Sequence, residues 1–297
     1  MKTQICWICR DAIDHELKYG LRLTAKVDEQ STLLRTWKTL FDATNLRERI
    51  LKDWIELCDN ASSKSLSVAS DRLPSLSGIA SLLQPLLKTR YIAGHWESNL
   101  IPSLLWSCNP RSKARPYTGY IAPSWSWASS PRPLQYAFYY PHWFRHQSHV
   151  VARVVEVDTT PAGTDQFGAL IDGYLRLRAP ALPQITSIDG DLEFLIGYTD
   201  LPGSVSMRFR IVLDGEAWSP SGHNQRKERF RPWLQSLCWL VLCKNLQAFG
   251  IMLERVETRS DGAFRRVGTF REILADRPDD RAKSAVSNLP TQEYLII

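Results

Sequence analysis

Three clusters in this 297-residue chain have residue types and spacings that could do chemistry. Cys6 and Cys9 are two residues apart, the spacing of a zinc knuckle or a redox dithiol. A structural zinc needs a second pair, and the nearest offer, Cys238 and Cys243, stands on a strand-like run. A redox pair belongs at a helix start inside a strand–helix–strand unit, and no such unit surrounds Cys6. The two cysteines therefore read as small apolar residues of a buried strand. His142 and His146, with His149 beyond, have the spacing that puts two imidazoles on one helix face for zinc. Pro141 opens that segment, aromatic residues crowd it and no carboxylate lies within it, so it reads as a loop with surface histidines.

The third cluster is Ala122-Pro-Ser-Trp-Ser-Trp-Ala-Ser-Ser130. Read as a strand that starts at Pro123, it puts Trp125 and Trp127 on one face, with Ser124, Ser126 and Ala128 on the other. Two rings on one face could stack on a sugar or a base. Large aromatic pairs also dominate core energetics, and the small serines suit close packing, so a structural role is the reading adopted. A small-ligand or carbohydrate-binding β domain is the alternative. There is no Gly-x-Ser-x-Gly elbow, no Gly-rich phosphate loop and no His-Glu-x-x-His. The sequence assigns no catalytic residue, cofactor or metal, and no enzyme activity.

The elements that would position these clusters change period along the chain. Ile5 to Ile8 reads as an opening strand, and 14–30, of mixed charge and no period, as a loop. Leu33, Leu34, Trp37, Leu40 and Phe41 predict a helix over 32–42. Asn45 and Glu48 form an Asn variant of the capping box. The stripe Leu46, Ile50, Trp54 and Cys58 then predicts a second helix, antiparallel to the first. Asp71 reads as the N-cap of a third, which starts at Leu73-Pro74 and carries Leu76, Ile79, Ala80, Leu83 and Leu87 inward. A short helix after Gly94 brings in Leu100, Leu104 and Leu105, with Trp106 near its end. Beyond 116 the period becomes two. Strands are predicted around 150–157, 175–178, 205–213, 237–242, 247–256 and 264–270, with a hairpin turn at Asp261-Gly262 and a final apolar stretch at 294–297. The first of these is apolar on both faces.

Composition sets the class. Hydrophobic residues at 44% and charged residues at 23% are globular values, and a chain of this length can bury one or two cores. The net charge of +6 is spread over short basic groups such as Arg265-Arg266, interrupted by acids, which reads as a solvated face rather than a nucleic-acid surface. The longest uninterrupted apolar run, 237–243, is too short to span a bilayer, and Arg10 and Asp11 interrupt any secretory leader. An intracellular, cytoplasmic location with reduced cysteines is expected.

Several of these segments, taken in order, resemble the fungal heterokaryon-incompatibility (HET) family downstream of its HET domain. Gln4-Ile-Cys-Trp-Ile-Cys9 looks like the family's Gln-x-x-Trp-x-Cys strand, with Cys6 where a non-cysteine is usual. Trp54-Ile-Glu-Leu57, Asp71-Arg-Leu-Pro-Ser-Leu-Ser-Gly-Ile-Ala80, Tyr91-Ile-Ala-Gly-His-Trp96, Leu104-Leu-Trp106 and Ala122-Pro-Ser-Trp-Ser-Trp-Ala-Ser129 follow. Gly173 to Arg178, Arg266 to Phe270 and the closing Ile-Ile are shorter echoes. The resemblance marks Asp71, Arg72, Leu73, Pro74, Gly78, Gly94, Trp96, Trp106, Pro123, Ser124, Trp125, Ser126 and Trp127 as family-motif positions with structural roles. The family's Ser-Tyr-x-Trp-Gly and Trp-Ile-Asp-x-x-Cys-Ile-Asn-Gln segments do not occur here, so the chain resembles a truncated form that begins where the HET domain would end.

The expected fold is α+β: a helical N-terminal part followed by a mostly antiparallel β-sandwich or partly open barrel. Residues 1–118 would be a mainly helical region continuing from an upstream HET domain, and 119–297 a β-rich domain. The function that the resemblance implies is a non-catalytic regulatory or partner-binding moiety in fungal non-self recognition and programmed cell death. Its partners would be proteins, with no membrane and no nucleic acid.

Overall fold

The structure, a computed structural model, describes residues 6–8, 12–16, 22–26, 46–64, 66–109, 112–115, 117–135, 150–189, 195–201, 205–214, 232–244, 247–273 and 288–297. The helix over 32–42, the Asn45 cap, Cys9 and the histidines at 142, 146 and 149 lie outside the described residues. The chain divides into two compact units, 1–57 and 58–297. In the first, β1 (Cys6–Ile8), β2 (Ala12–Glu16) and β3 (Arg22–Lys26) form an antiparallel sheet in that order. Two of these strands occupy the stretch expected to be a loop. Mixed charge hides strand periodicity, but backbone pairing does not require it. Helix α1 (Leu46–Ser63) carries the predicted stripe, with Ile50, Trp54 and Cys58 all buried.

The second unit holds helices and sheet together, so the change of period near 118 falls inside one compact body. A 3-10 turn, Ala69–Arg72, leads into α2 (Pro74–Leu87). Asp71 does not cap this helix as predicted. It is taken up by the preceding turn, where its N–H donates to the Val68 carbonyl, and Leu73 occupies the N-cap without a side-chain bond. Pro74 at the first position needs no N–H partner, and Leu76, Ala80, Leu83 and Leu87 form the buried stripe. β4 (Tyr91–Ile92) and β5 (His95–Trp96) make a two-stranded hairpin, and α3 (Leu100–Ser103) follows.

The nine-stranded sheet is built from β6 (Arg153–Pro161), β7 (Leu170–Pro180), β8 (Ser187–Asp189), β9 (Leu195–Leu201), β10 (Val205–Leu213), β11 (Cys238–Lys244), β12 (Ala248–Arg255), β13 (Phe264–Ile273) and β14 (Thr291–Ile296). Its path is β6-β7-β14-β13-β10-β9-β8, with β12 also paired to β13 and β11 to β12. All pairings are antiparallel except one, a parallel contact of β13 with β14 at Phe264 and Ile296. Isolated bridges, Val150 to Cys243 and Ala181 to Leu240, bring β11 toward the β6–β7 side without closing a barrel. The α+β class is the one expected from the change of period.

Alternation set the sheet's faces. Met207, Phe209 and Ile211 of β10 are buried, as are Leu175 and Leu177 of β7, while Arg178 and Arg208 face out. With Trp239, Val241, Met252 and Phe270 the three β10 residues form one apolar core. β6, expected to be apolar on both faces, is instead the sheet's edge. Among the described residues β6 pairs with β7 alone, and Val155 is exposed. β8 and β9 escaped the sequence reading; one is too short and the other carries a central Gly197 and an Asp200 that blur alternation.

Candidate functional site

The 122–130 stretch is not a strand. It folds as tight turns ending in a 3-10 turn, Trp127–Ser129. Its serines close those turns themselves: the Ser126 hydroxyl accepts from Ala128 N at 3.1 Å and donates to the Ala93 carbonyl at 2.7 Å, and Ser129 Oγ donates to the Ser126 carbonyl. Side-chain oxygens that satisfy nearby backbone groups displace the ladder that a strand would need. Trp125 and Trp127 are both buried, at 0% and 1% exposure, so neither ring offers a face to a sugar or a base. The aromatic strip on which the ligand-binding alternative rested is inside the protein.

Most motif residues are tied to other elements of the second unit. Trp127 Nε1 donates to the Gly94 carbonyl at 3.0 Å. Gly94 has φ +90 and its missing Cβ leaves room for that indole nitrogen, so both its conformation and the approach require glycine. Trp106 Nε1 donates to the Trp125 carbonyl at 3.0 Å. Pro123 lies against Gly173 of β7, where a Cβ would meet its ring. Ser124 sits at the fork where β14 leaves β13: its N–H and hydroxyl donate to the Ile297 carbonyl, and its Oγ accepts from Arg266 N at 2.9 Å. Arg72, buried from solvent, donates to the Ala128 and Ser130 carbonyls and lies 5.6 Å from the Tyr117 ring centre. Leu73 and Trp96 are buried, whereas Asp71 and Gly78 are exposed and nothing approaches the space beside Gly78.

The residue that sequence reasoning misassigned is Arg266. Its pairing with Arg265 in sequence predicts a solvated basic face, but its side chain is fully buried while that of Arg265 is 60% exposed. Successive strand residues point to opposite faces, so the adjacent arginines of β13 part, Arg266 inward and Arg265 outward. Its guanidinium lies 3.3 Å from the centre of the Trp106 ring. Nε donates to Asp214 Oδ2 at 2.8 Å, Nη1 to the Leu104 carbonyl, and Nη2 to the Trp106 carbonyl. A buried charge needs such complete partnering. The signal that could have found it is the alternation of 264–270 itself, which forces one of two adjacent arginines inward.

The other reactive groups nearby are equally committed. Cys108 Sγ contacts Ser130 Oγ and donates to the Asp214 carbonyl, both at 3.2 Å, and burial raises its thiol well above the ordinary range, helped by Asp214. Burial also raises the Asp214 carboxyl, against the opposing pull of Arg266. His95 Nδ1 lies 2.8 Å from Ser103 Oγ, and burial, then the charge of Arg266, lowers its pKa to about 3. His95 is neutral at physiological pH. Above this layer opens a cleft of about 750 Å³ between the motif and the sheet. Trp106, Leu213, Asp214, Arg266 and Val267 are among its lining, and Tyr120, Ile171, Asp172, Trp233, Arg259 and Arg265 also border it. Among the described residues no three His, Cys, Asp or Glu side chains gather as a metal site would need, and no helix is long and apolar enough to cross a membrane.

Compared with known proteins, this chain matches no family model, no curated protein and no solved structure.

Proposed function

We propose that this chain is a non-catalytic, partner-binding regulatory moiety of the HET type, acting inside the fungal cell in non-self recognition linked to cell death. Two things support the reading. The segments that resemble the family, above all Ala122 to Ser129, are the ones that tie hairpin, helix and sheet into a single platform. The observation that carries it is the state of the groups beneath the cleft. Cys108 is a buried neutral thiol, His95 a buried neutral imidazole, and Asp214 is engaged by Arg266. A nucleophile needs an activating base and a lowered pKa, and a general base needs a pKa near working pH; Cys108 and His95 are shifted the other way, and both Asp214 oxygens face the Arg266 guanidinium. They hold a surface in shape.

The test is a cell-fusion assay in fungal strains that carry, lack or overexpress the chain. A change in the viability of fused cells between compatible and incompatible pairings is the expected result. Equal viability in every pairing overturns the assignment. Full-length Cys108→Ser and His95→Gln proteins that still fold should leave the phenotype in place; its loss would point to chemistry at those groups instead.

A further inference from the structure

We propose that the cleft seats a peptide segment of a protein partner that carries a carboxylate side chain next to an apolar anchor. The proposal rests on the partner-binding reading and names the chemistry of what is bound. The first observation is shape and lining: about 750 Å³ suits a few side chains, and its floor includes Trp106, Leu213 and Val267. The second is the mouth. Tyr120 at 45% and Ile171 at 61% exposure are two of the protein's large apolar side chains left in water, and both border this cleft. Trp233 borders it as well. Tyrosine, tryptophan and arginine are the residues enriched at the energetic centres of protein interfaces. A small anion seated within the cleft would leave Tyr120 and Ile171 in water, whereas a peptide that runs out over the mouth covers them.

The third observation is charge. Arg266 and Asp214 neutralise one another in the floor, and at the border Arg259 and Arg265 are each paired with an acid, Asp261 and Glu254, with Asp172 beside them, so what the arginines offer is spare donors rather than spare charge. Arg265 binds Glu254 through Nε and Nη2, and Arg259 binds Asp261 through the same two nitrogens. In both, Nη1 makes no hydrogen bond to the described residues, so each guanidinium keeps donors for another carboxylate. Glu254 is itself held by Trp233 Nε1, which fixes Arg265 and the indole side by side. A carboxylate that binds Arg265 therefore has an aromatic surface beside it for its apolar neighbour. Asp172, with Oδ1 accepting from Gly173 N, repels a second acid placed near it. The cleft thus selects one acid, on the arginine side, with an apolar residue adjacent.

The experiment selects a random peptide display library on the full-length chain, in parallel with its Arg265→Glu and Ile171→Asp variants. Both substitutions are at exposed positions, and circular dichroism and thermal melts establish that each variant is folded. Wild-type protein is expected to enrich peptides with Asp or Glu within a few residues of Trp, Phe or Leu. Synthesised peptides from that pool should bind about tenfold or more weakly to each variant, and to wild type when the acid is replaced by its amide. Apolar peptides that lack an acid but lose binding to Ile171→Asp would overturn the proposed ligand class and leave the partner-binding reading standing. Enrichment no greater on wild type than on both variants would overturn the cleft as a docking site, whatever the fusion assay reports.

Discussion

The two cores of the second unit are built differently. Around the 122–130 motif, five Trp, Ser and Arg side chains donate to backbone carbonyls of distant segments: Trp106, Trp127, Ser126, Arg72 and Arg266. Inside the sheet, Met207, Phe209, Ile211, Val241, Met252 and Phe270 meet through surface and shape, with Phe209 edge-on to Phe270 at 5.3 Å between ring centres. Trp239 shows the contrast within one residue type. Its indole N–H is buried and has no hydrogen-bond partner among the described residues, as is also true of Trp125 in the motif, whereas those of Trp106 and Trp127 are bonded to carbonyls. Apolar packing is non-directional and tolerates exchange of similar volumes, while directional bonds fix particular backbone atoms at particular distances. The region that borders the cleft is thus the one whose geometry is pinned.

The largest expected effect comes where the two cores meet. Arg266→Met leaves Asp214 buried without its countercharge and strips donors from two carbonyls, so chemical denaturation should show a loss of about 3–5 kcal/mol. Adding Asp214→Leu should recover part of that loss. Recovery of nothing would mean that the carbonyl contacts outweigh the ion pair. Acid should expose the pinned core next. His95 stays neutral down to about pH 3 in the folded chain, while an unfolded histidine takes up a proton below about pH 6.5. The unfolded state therefore binds more protons in that window, and stability is full above it and falls as pH falls. Between pH 6.5 and 5 the loss should be about 1.5 kcal/mol more in wild type than in His95→Gln. Equal slopes in the two proteins would remove His95 as the cause.

A matched pair of substitutions isolates the directional bond. Trp127→Phe and Trp239→Phe remove the same ring volume, but only the first deletes an N–H that a buried carbonyl accepts. Trp127→Phe should cost about 1 kcal/mol more in urea unfolding. Equal costs would erase the distinction between the cores. The smallest effect belongs to Arg265→Ala, expected to shift stability by no more than about 0.5 kcal/mol, since an exposed ion pair contributes little. Set beside its neighbour Arg266, it measures how much one step along a strand decides.

The fold was readable where one face of an element meets water and the other does not. The β10 and β7 alternations and the α2 stripe gave most of their buried residues, with Ile79 and Leu213 only half-buried, because burial imposes a period on such elements. Reading failed where that condition fails. β2 and β3 carry mixed charge, β8 is three residues long, and β6 is an edge strand whose valines mimic a buried one. The cleft was legible only in fragments. Its motif wall stood out by composition, but Asp214, Arg259 and Trp233 come from separate stretches that meet only once the sheet is folded.

The sequence by itself determined the α+β class, most strands of the large sheet and the importance of the Trp-Ser-Trp segment, since period and composition are local properties. Only the tertiary structure decided that this segment is a set of turns rather than a strand, that both its rings are buried, and that Arg266 faces inward while Arg265 faces out. Those outcomes depend on partners more than thirty residues away in the chain, such as Ala93 for Ser126 and Asp214 for Arg266. A carbonyl or a countercharge at that separation leaves no mark on the residues next to the group it will bind.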